Sequence, residues 1–528
     1  MTKNNILIFF IVFLSLSIGF LFGTQQNLFP NFSIKSNKSI DKLSRLIEYI
    51  ENDYVDTVNT DSLVGAVIKN IVSQLDPHSA YIPKENQQLI AESMQGNFVG
   101  IGVSFQMIGD TIAVIRVLEG GPSKKIGLIT GDRILTVDED TLYQKGLTSQ
   151  EVIGKLKGQS KSPINLKVYR KSNDSIHTFN FTRGPVPLPS VTSHYMLNNS
   201  TGYLKINRFS KTTYEEFHSA LQSLVLQDIK NCIVDLRGNP GGYLFAATQI
   251  ADSFLSEGKS IVIVQTNKGE KQATYSSANG LFEEGKLYIL VDEQSASASE
   301  VVAGALQDND RGWIIGRRTF GKGLVQRQVP LGMGDELRLT TARYYTPTGR
   351  SIQRPYTNNN KEEYYSEVQN RYDSGEMLNK NNVPVVDSLA FTTPKGRLVY
   401  GGGGIVPDFY ISDNISSEER WNGFVLRSNF VNRFVFSELD KNRGFYNSLT
   451  KAFFYNEFVV EPDYFIPAFI RYCEVNNYPF DMKEQDEIQL LLSIKAYIAL
   501  QLFDESLFIQ ILNHQDRFIT AALEHIES

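Results

Sequence analysis

The sequence predicts a multidomain α+β chain: N-terminal helices, a small strand-rich domain, a larger α/β domain and an all-helical C-terminal extension. Three observations carry this. The 528 residues exceed what one ordinary core takes, so two to four domains are expected. The hydrophobic period changes along the chain, from helical to strand-like, to alternating, and back to helical. Glycine and proline clusters fall where it changes.

The first part is N-terminal. After Lys3 an uncharged apolar run of 17 residues extends from Ile6 to Phe22, followed by Gly23, Thr24, Gln25 and Gln26, with no small-residue cleavage site and no cysteine placed for lipid attachment. This predicts an uncleaved signal anchor over 1–24, with a cleaved signal peptide as the alternative. Lys3 orients the remainder across the membrane, away from the cytoplasm. Residues 38–95 are expected to be helical: Ile40, Leu43, Leu46, Ile47 and Ile50 keep one helical period, and Leu63, Val67, Ile68 and Ile71 another. They end in the turn cluster Leu75-Asp76-Pro77-His78-Ser79.

Residues 96–184 read as short strands (Gly100–Gln106, Thr111–Val117, Arg133–Val137, Ile164–Tyr169) around one helix near 149–156. Pro185, Pro187 and Pro189 predict a stiff linker and a boundary. Strands and helices then alternate over 190–412, with strands at Tyr203–Phe209, Cys232–Leu236, Ile261–Gln265, Leu287–Val291, Trp313–Gly316 and Leu337–Tyr345. Helices are expected at Tyr214–Gln227, Tyr243–Ser256 and Ser299–Gln307, which implies βαβ units. Residues 357–397, rich in Asn, Glu and Tyr, read as a surface excursion, and 415–528 as a helical domain.

Composition excludes several classes. With 52 basic and 58 acidic residues the net charge is −6, which offers nucleic acid no basic footprint. Two cysteines exclude a disulfide-dense scaffold; Cys232 reads as apolar filler, and a single bridge to Cys473 stays open. The six histidines are scattered without metal-ligand spacing, so no metal or other cofactor is expected.

Two motifs carry chemistry. Gly100-Ile101-Gly102-Val103 opens a strand, and Gly120-Gly121-Pro122 through Gly127-Leu128-Ile129-Thr130-Gly131-Asp132-Arg133-Ile134 follows. A glycine loop before a strand can expose backbone N–H groups to a carboxylate, while the strand edge pairs with a peptide. Taken alone, these glycines are ordinary turn residues. Together they resemble a PDZ domain of the kind found in envelope proteases, which implies binding of an apolar carboxyl-terminal tail.

The second motif is Ser295-Ala296-Ser297-Ala298-Ser299-Glu300 after strand Leu287–Val291, then Thr319-Phe320-Gly321-Lys322-Gly323-Leu324-Val325-Gln326. Ser297 falls at a strand-to-helix turn, where the positive end of the helix favours an attacking alkoxide and the oxyanion it forms. Ser297-x-x-Glu300 is equally a capping box. Lysine can serve as the base if burial lowers its pKa, and Lys322 lies among apolar and glycine residues. If Lys322–Gln326 is extended, Gln326 shares a face with it and can orient the amine. Singly, the lysine reads as a surface charge.

The combination, with Lys322 25 positions after Ser297 and Gln326 four further on, resembles the carboxyl-terminal processing (tail-specific) protease family over about residues 40–412. Asp235-Leu236-Arg237-Gly238-Asn239-Pro240-Gly241-Gly242, Tyr344–Ile352 and Gly404-Ile405-Val406-Pro407-Asp408 match as well. The resemblance implies a ClpP/crotonase-like α/β core and a serine endopeptidase. Ser297 would be the nucleophile, Lys322 the general base and Gln326 its positioner. The oxyanion hole would use the Ala298 N–H and one from the Gly238–Gly242 loop, with Gly241 or Gly242 left open. Ser295 and Ser299 are expected to be structural. Implied partners are unfolded or partly folded proteins with apolar C-termini, the membrane through the N-terminal segment, and a second copy in a homo-oligomer. The implied location is the inner membrane, with the catalytic part on the periplasmic side.

Overall fold

The computed structural model describes residues 38–356, 361–413, 429–478 and 482–527. The signal-anchor segment 1–24 lies outside them. Among the described residues no helix is long and apolar enough to cross a membrane. The chain divides into two compact units, Met1–Ile71 and Val72–Ser528. In the first, the helix Lys38–Asp53 buries none of its residues; the helix Thr60–Ser73 follows and ends just past the division.

In the second unit, after the turn 76–79, the structure departs from the all-helical expectation for 38–95. Ala80–Ile82 is a short strand that pairs antiparallel with Asp335–Tyr345. The helix Lys84–Gln95 leads into the PDZ-like domain, ending at Gly96 with φ +80°. That domain is a sheet whose main path runs Val103–Ile108, Thr111–Val117, Arg133–Val137, Pro163–Arg170 and Ser175–Thr182. Its core includes Ile112, Val114, Ile134, Val152, Leu166 and Val168. The proline segment is not a free linker. Gly184–Pro187 pairs with Asn97–Gly100 as a two-stranded ribbon, where the missing proline N–H groups cost no ladder bond of a wider sheet.

The α/β domain is built on a six-stranded sheet in the order Val191–Met196, Thr201–Ile206, Asn231–Asp235, Lys286–Val291, Trp313–Gly316 and Phe409–Tyr410, parallel except for the first pair. Side chains alternate between its faces. Leu204, Cys232, Val234, Leu287, Ile289 and Ile314 pack beneath helices Thr213–Val225, Leu244–Asp252 and Ala298–Asp308. Tyr203, Ile233, Tyr288, Leu290 and Ile315 face the other way, onto Phe518, Ile519 and Ala522 of the C-terminal helix Arg517–Glu527. Strands apolar on both faces need two covering layers, and the C-terminal extension supplies the second.

A second sheet joins Leu324–Gly332, Asp335–Tyr345, Ser260–Thr266 and Lys271–Tyr275 to the Ala80–Ile82 strand. The segment read as a surface excursion is instead partly core: Tyr364, Arg371 and Met377 are buried. Arg371 donates to the carbonyls of Arg318 and Thr319, and Glu367 and Glu376 pair with Arg318, bracing the loop that leads to Lys322. Cys232 and Cys473 are free and buried, and burial pushes the Cys232 thiol up to about 12.

The C-terminal helices also hold the small domain. Asp440 accepts from Arg133 at 2.7 Å, Arg443 at 3.0 Å and Lys171 at 3.2 Å, and Phe436 packs on Ala113 and Ile115.

Candidate active site

Strand Lys286–Val291 delivers the chain to Ser297, and helix Ala298–Asp308 starts directly after it. Within 295–300 only Ser297 is not buried. The turn holds it at φ +56°, ψ −110°, a conformation L-residues rarely adopt and one that costs about 1–3 kcal/mol. Ser295 donates to the Leu236 carbonyl and Ser299 to that of Asn239, so both fasten the turn. The capping box is half formed. Glu300 accepts from the Ser297 N–H at 2.8 Å, but its own N–H goes to the Ser297 carbonyl, leaving the hydroxyl uncommitted as a cap.

Glu300 is fully buried and takes four donors. Oε1 accepts from Thr319 Oγ1 at 2.6 Å and Gly321 N at 2.7 Å; Oε2 accepts from Ser297 N at 2.8 Å and Lys322 N at 2.9 Å. Burial pushes its carboxyl above the usual range, while these donors stabilise the charge. The Tyr344 hydroxyl lies 3.0 Å from the Ser297 carbonyl and 2.7 Å from that of Lys322.

Lys322 precedes the strand Leu324–Gly332, which carries a bulge between Val325 and Gln326. The simple extended register is thus replaced by a re-aimed one, yet the contact survives: Lys322 Nζ donates to Gln326 Oε1 at 2.9 Å. Gln326 Nε2 donates to the His78 carbonyl at 2.7 Å, which fixes which end of the amide faces the lysine. His78 is held in turn by the 76–79 turn. Asp76 accepts from the His78 and Ser79 N–H groups, both at 2.8 Å, and from Thr340 Oγ1 at 3.1 Å. Burial brings Lys322 down to about 8, helped by the nearby Arg338 charge and opposed by Glu300 and Asp76. Ser297 and Lys322 line one cavity of about 400 Å³, but no hydrogen bond joins their side chains among the described residues.

Opposite them runs the Gly238–Gly242 loop, anchored by Asp235, whose carboxylate binds Arg237 and Lys205. Burial alone would raise the Asp235 pKa, yet these cations hold it well below the usual range. Asn239 Oδ1 accepts the Gly241 N–H at 2.9 Å, and the Asn239 carbonyl accepts the Ala296 N–H at 3.0 Å. The N–H groups of Gly242 and Ala298 have no acceptor among the described residues. A Cβ on Gly241 would lie 2.8 Å from Ser297 Cβ and 2.9 Å from Ala298 N, so only glycine lets the loop come this close.

In the small domain, Ile101 is buried, and the Ile101 and Gly102 carbonyls accept from Ser123 and Leu118. Gly100 ends one strand and Val103 opens another, Val103–Ile108, which is an edge of its sheet. Tyr344, Asn239 and the His78 carbonyl were not singled out from sequence, and Glu300 was read there only as a helix cap. Tyr344 and Asn239 lie inside quoted matching segments, whereas the 76–79 turn carried only a turn signal.

Known proteins match several stretches of this chain. Residues 200–360 match peptidase family S41, residues 99–179 a PDZ domain, and residues 421–504 a family of unknown function. A carboxy-terminal-processing protease of Bartonella bacilliformis is 34% identical over 353 residues, covering 66% of this chain and 80% of that protein. Carboxy-terminal processing protease CtpB of Bacillus subtilis is 31% identical over 322 residues, covering 60% of this chain and 66% of that one. A photosystem II D1 C-terminal processing protease structure, 24% identical, covers 71% of this chain and 88% of that chain with a TM-score of 0.36. The chain belongs to peptidase family S41, among the carboxy-terminal processing proteases, and is a serine peptidase with a PDZ domain.

Proposed function

We propose that this peptidase cuts proteins near their carboxyl termini with Ser297 as nucleophile and Lys322 as base. The carrying observation is Lys322 itself: a lysine lowered to about 8, held by Gln326, on the wall of the cavity that contains Ser297. Neutral Nζ takes the Ser297 Oγ proton as Oγ attacks the peptide carbonyl, and the N–H groups of Ala298 and Gly242 receive the oxyanion. On collapse the C–N bond breaks, and the Lys322 ammonium returns the proton to the leaving amine. Water then repeats the sequence on the acyl-serine. Ser297→Ala and Lys322→Ala should each abolish cleavage of an unfolded protein with an apolar tail. Full activity in either variant removes the mechanism.

Tail capture is assigned to the Gly100–Val103 entry and the edge strand after it, by β-augmentation. Location in the cell envelope, anchored in the inner membrane and facing the periplasm, rests on the uncharged run Ile6–Phe22. Fractionation of the full chain with and without residues 1–24 tests it. The exposed Ile40, Leu46 and Tyr49 on helix Lys38–Asp53 support a homo-oligomer, measurable by light scattering.

A further inference from the structure

The wall of the Ser297 cavity carries Arg208, Arg327, Arg338 and Lys322, and no carboxylate. The three guanidinium groups have no ion pair or hydrogen bond among the described residues; Arg327 is exposed, but Arg208 and Arg338 are half-buried in a molecule whose other partly buried arginines are mostly paired. The carboxylates nearest Lys322 are already engaged, Glu300 by its four donors and Asp76 by His78, Ser79 and Thr340. Bringing unpaired cations together in a concave wall costs electrostatic energy unless an anion arrives to share them. The same wall holds apolar surface beside Ser297, from Leu244, Val301 and Leu324.

We infer that the cleft is built for a peptide that carries a carboxylate close to the scissile bond on its leaving side, with Arg338 as the principal specificity-determining residue. The side follows from chemistry. Lys322 must hand its proton to the leaving amine, and Arg338 lines the same cavity wall as Lys322. Arg338 pairs in register with Gln328, two residues beyond Gln326 on the same strand, and Arg327 lies between them. Arg208 stands next to Phe209, which bridges Gly242, and adds to the field from the opposite wall. The carboxylate has two sources: the free terminus of a short released tail, or an Asp or Glu side chain within it. The inference rests on the Ser297–Lys322 reading and deepens it by naming what the leaving segment carries.

Three internally quenched peptides test it on the full chain. All share an apolar residue before the cleaved bond. The first two are C-terminally amidated, so no free terminus reaches the PDZ domain, and have Glu or Gln two residues past the bond. The third carries Gln there and ends in a free carboxylate at that distance. The Glu peptide should exceed the Gln peptide in kcat/KM by about tenfold, a gap that narrows as NaCl rises. Arg338→Gln should reduce the gap between the two peptides to within about twofold. A bound carboxylate offsets the Arg338 charge, so the acidic limb of kcat should sit at higher pH for Glu than for Gln, and the two limbs should coincide in Arg338→Gln.

Preference for the third peptide alone assigns the site to a tail's own terminus; preference for both assigns it to any carboxylate. Equal rates for all three peptides in the wild type, at low salt, overturn the inference. The same comparison by fluorescence anisotropy on Ser297→Ala reads the preference without catalysis. Retained cleavage by Ser297→Ala would remove the dyad and leave the arginine preference to be judged by that binding.

Discussion

Ser297 and Lys322 are joined through their main chains rather than their side chains. Glu300 Oε2 accepts from both backbone N–H groups, at 2.8 and 2.9 Å, and the Tyr344 hydroxyl lies within hydrogen-bond reach of both carbonyls. The two residues are therefore held in fixed relation although 25 positions separate them, with the lysine amine on Gln326. A buried carboxylate that serves four donors cannot be replaced cheaply.

Glu300→Ala should leave three backbone N–H groups and the Thr319 hydroxyl without their acceptor, lowering stability by about 2–4 kcal/mol and kcat by at least about a hundredfold. Glu300→Gln keeps the volume but turns an NH₂ toward donors, so it should lose activity more than stability. Chemical denaturation and kcat on the same samples check both. Unchanged kcat in either variant would show that the bridge does not hold the site.

The pH dependence follows from Lys322. Its folded pKa of about 8 lies below the ordinary 10.5, so kcat/KM should rise through about pH 8 as the amine becomes neutral. The folded state binds fewer protons than the unfolded one between about 8 and 10.5, so this group adds stability as pH rises through that window. Below it, the buried ammonium costs stability. Arg338→Gln removes a neighbouring positive charge and should move the rise to higher pH. A rise unmoved in that variant, or centred near 6, would assign the titration to another group.

Much of this was legible in the sequence, and what was not has physical reasons. Strands such as Cys232–Val234 and Leu287–Val291 are apolar at every position, which betrays burial on both faces. What covers the second face could not be read, because the helical period of 517–527 shows that one side is buried but not against what. Ser297, Lys322 and Gln326 were picked out by resemblance to the family's motif, yet the bulge at Val325 and Gln326 shows that the assumed regular strand was not the cause of the contact between Lys322 and Gln326. Glu300 looked like a local cap because its Ser297 bond is local, while its bonds to Thr319, Gly321 and Lys322 arise from tertiary structure. The polar composition of 357–397 suggested exposure, but Glu367 and Glu376 are spent on buried arginines.

Gly241 and Gly242 should respond differently to the same added methyl. At Gly241 a Cβ meets Ala296 O at 2.6 Å and Ser297 Cβ at 2.8 Å, so the damage falls on the serine turn. Gly241→Ala should cost about a hundredfold in kcat by displacing Ser297, with the sheet intact. At Gly242 the Cβ would lie 2.0 Å from the Phe209 carbonyl oxygen, in the bridge that joins the loop to residue 209. Gly242→Ala should therefore lower thermal stability as well, by several degrees. Equal melting temperatures for the two variants would contradict this division.

The last prediction concerns the C-terminal helices as a fastening for the PDZ domain. Asp440 is 9% exposed and Arg443 5%, and Arg133 and Arg443 both stack on Phe436. Asp440→Ala leaves these cations partly buried without their shared counter-charge, at a cost of about 3 kcal/mol. That cost falls on the interface rather than on either core, since the PDZ core of Ile112, Ile134 and Leu166 lies on the other face of the sheet from Ala113 and Ile115. Hydrogen exchange should therefore quicken at Thr111–Val117 and Asn429–Leu439 while the six-stranded sheet keeps its protection. Asp440→Glu should recover most of it. If Asp440→Ala instead loosens the whole molecule at once, the helices and the PDZ domain fold as one cooperative body and the fastening is not a separable contact.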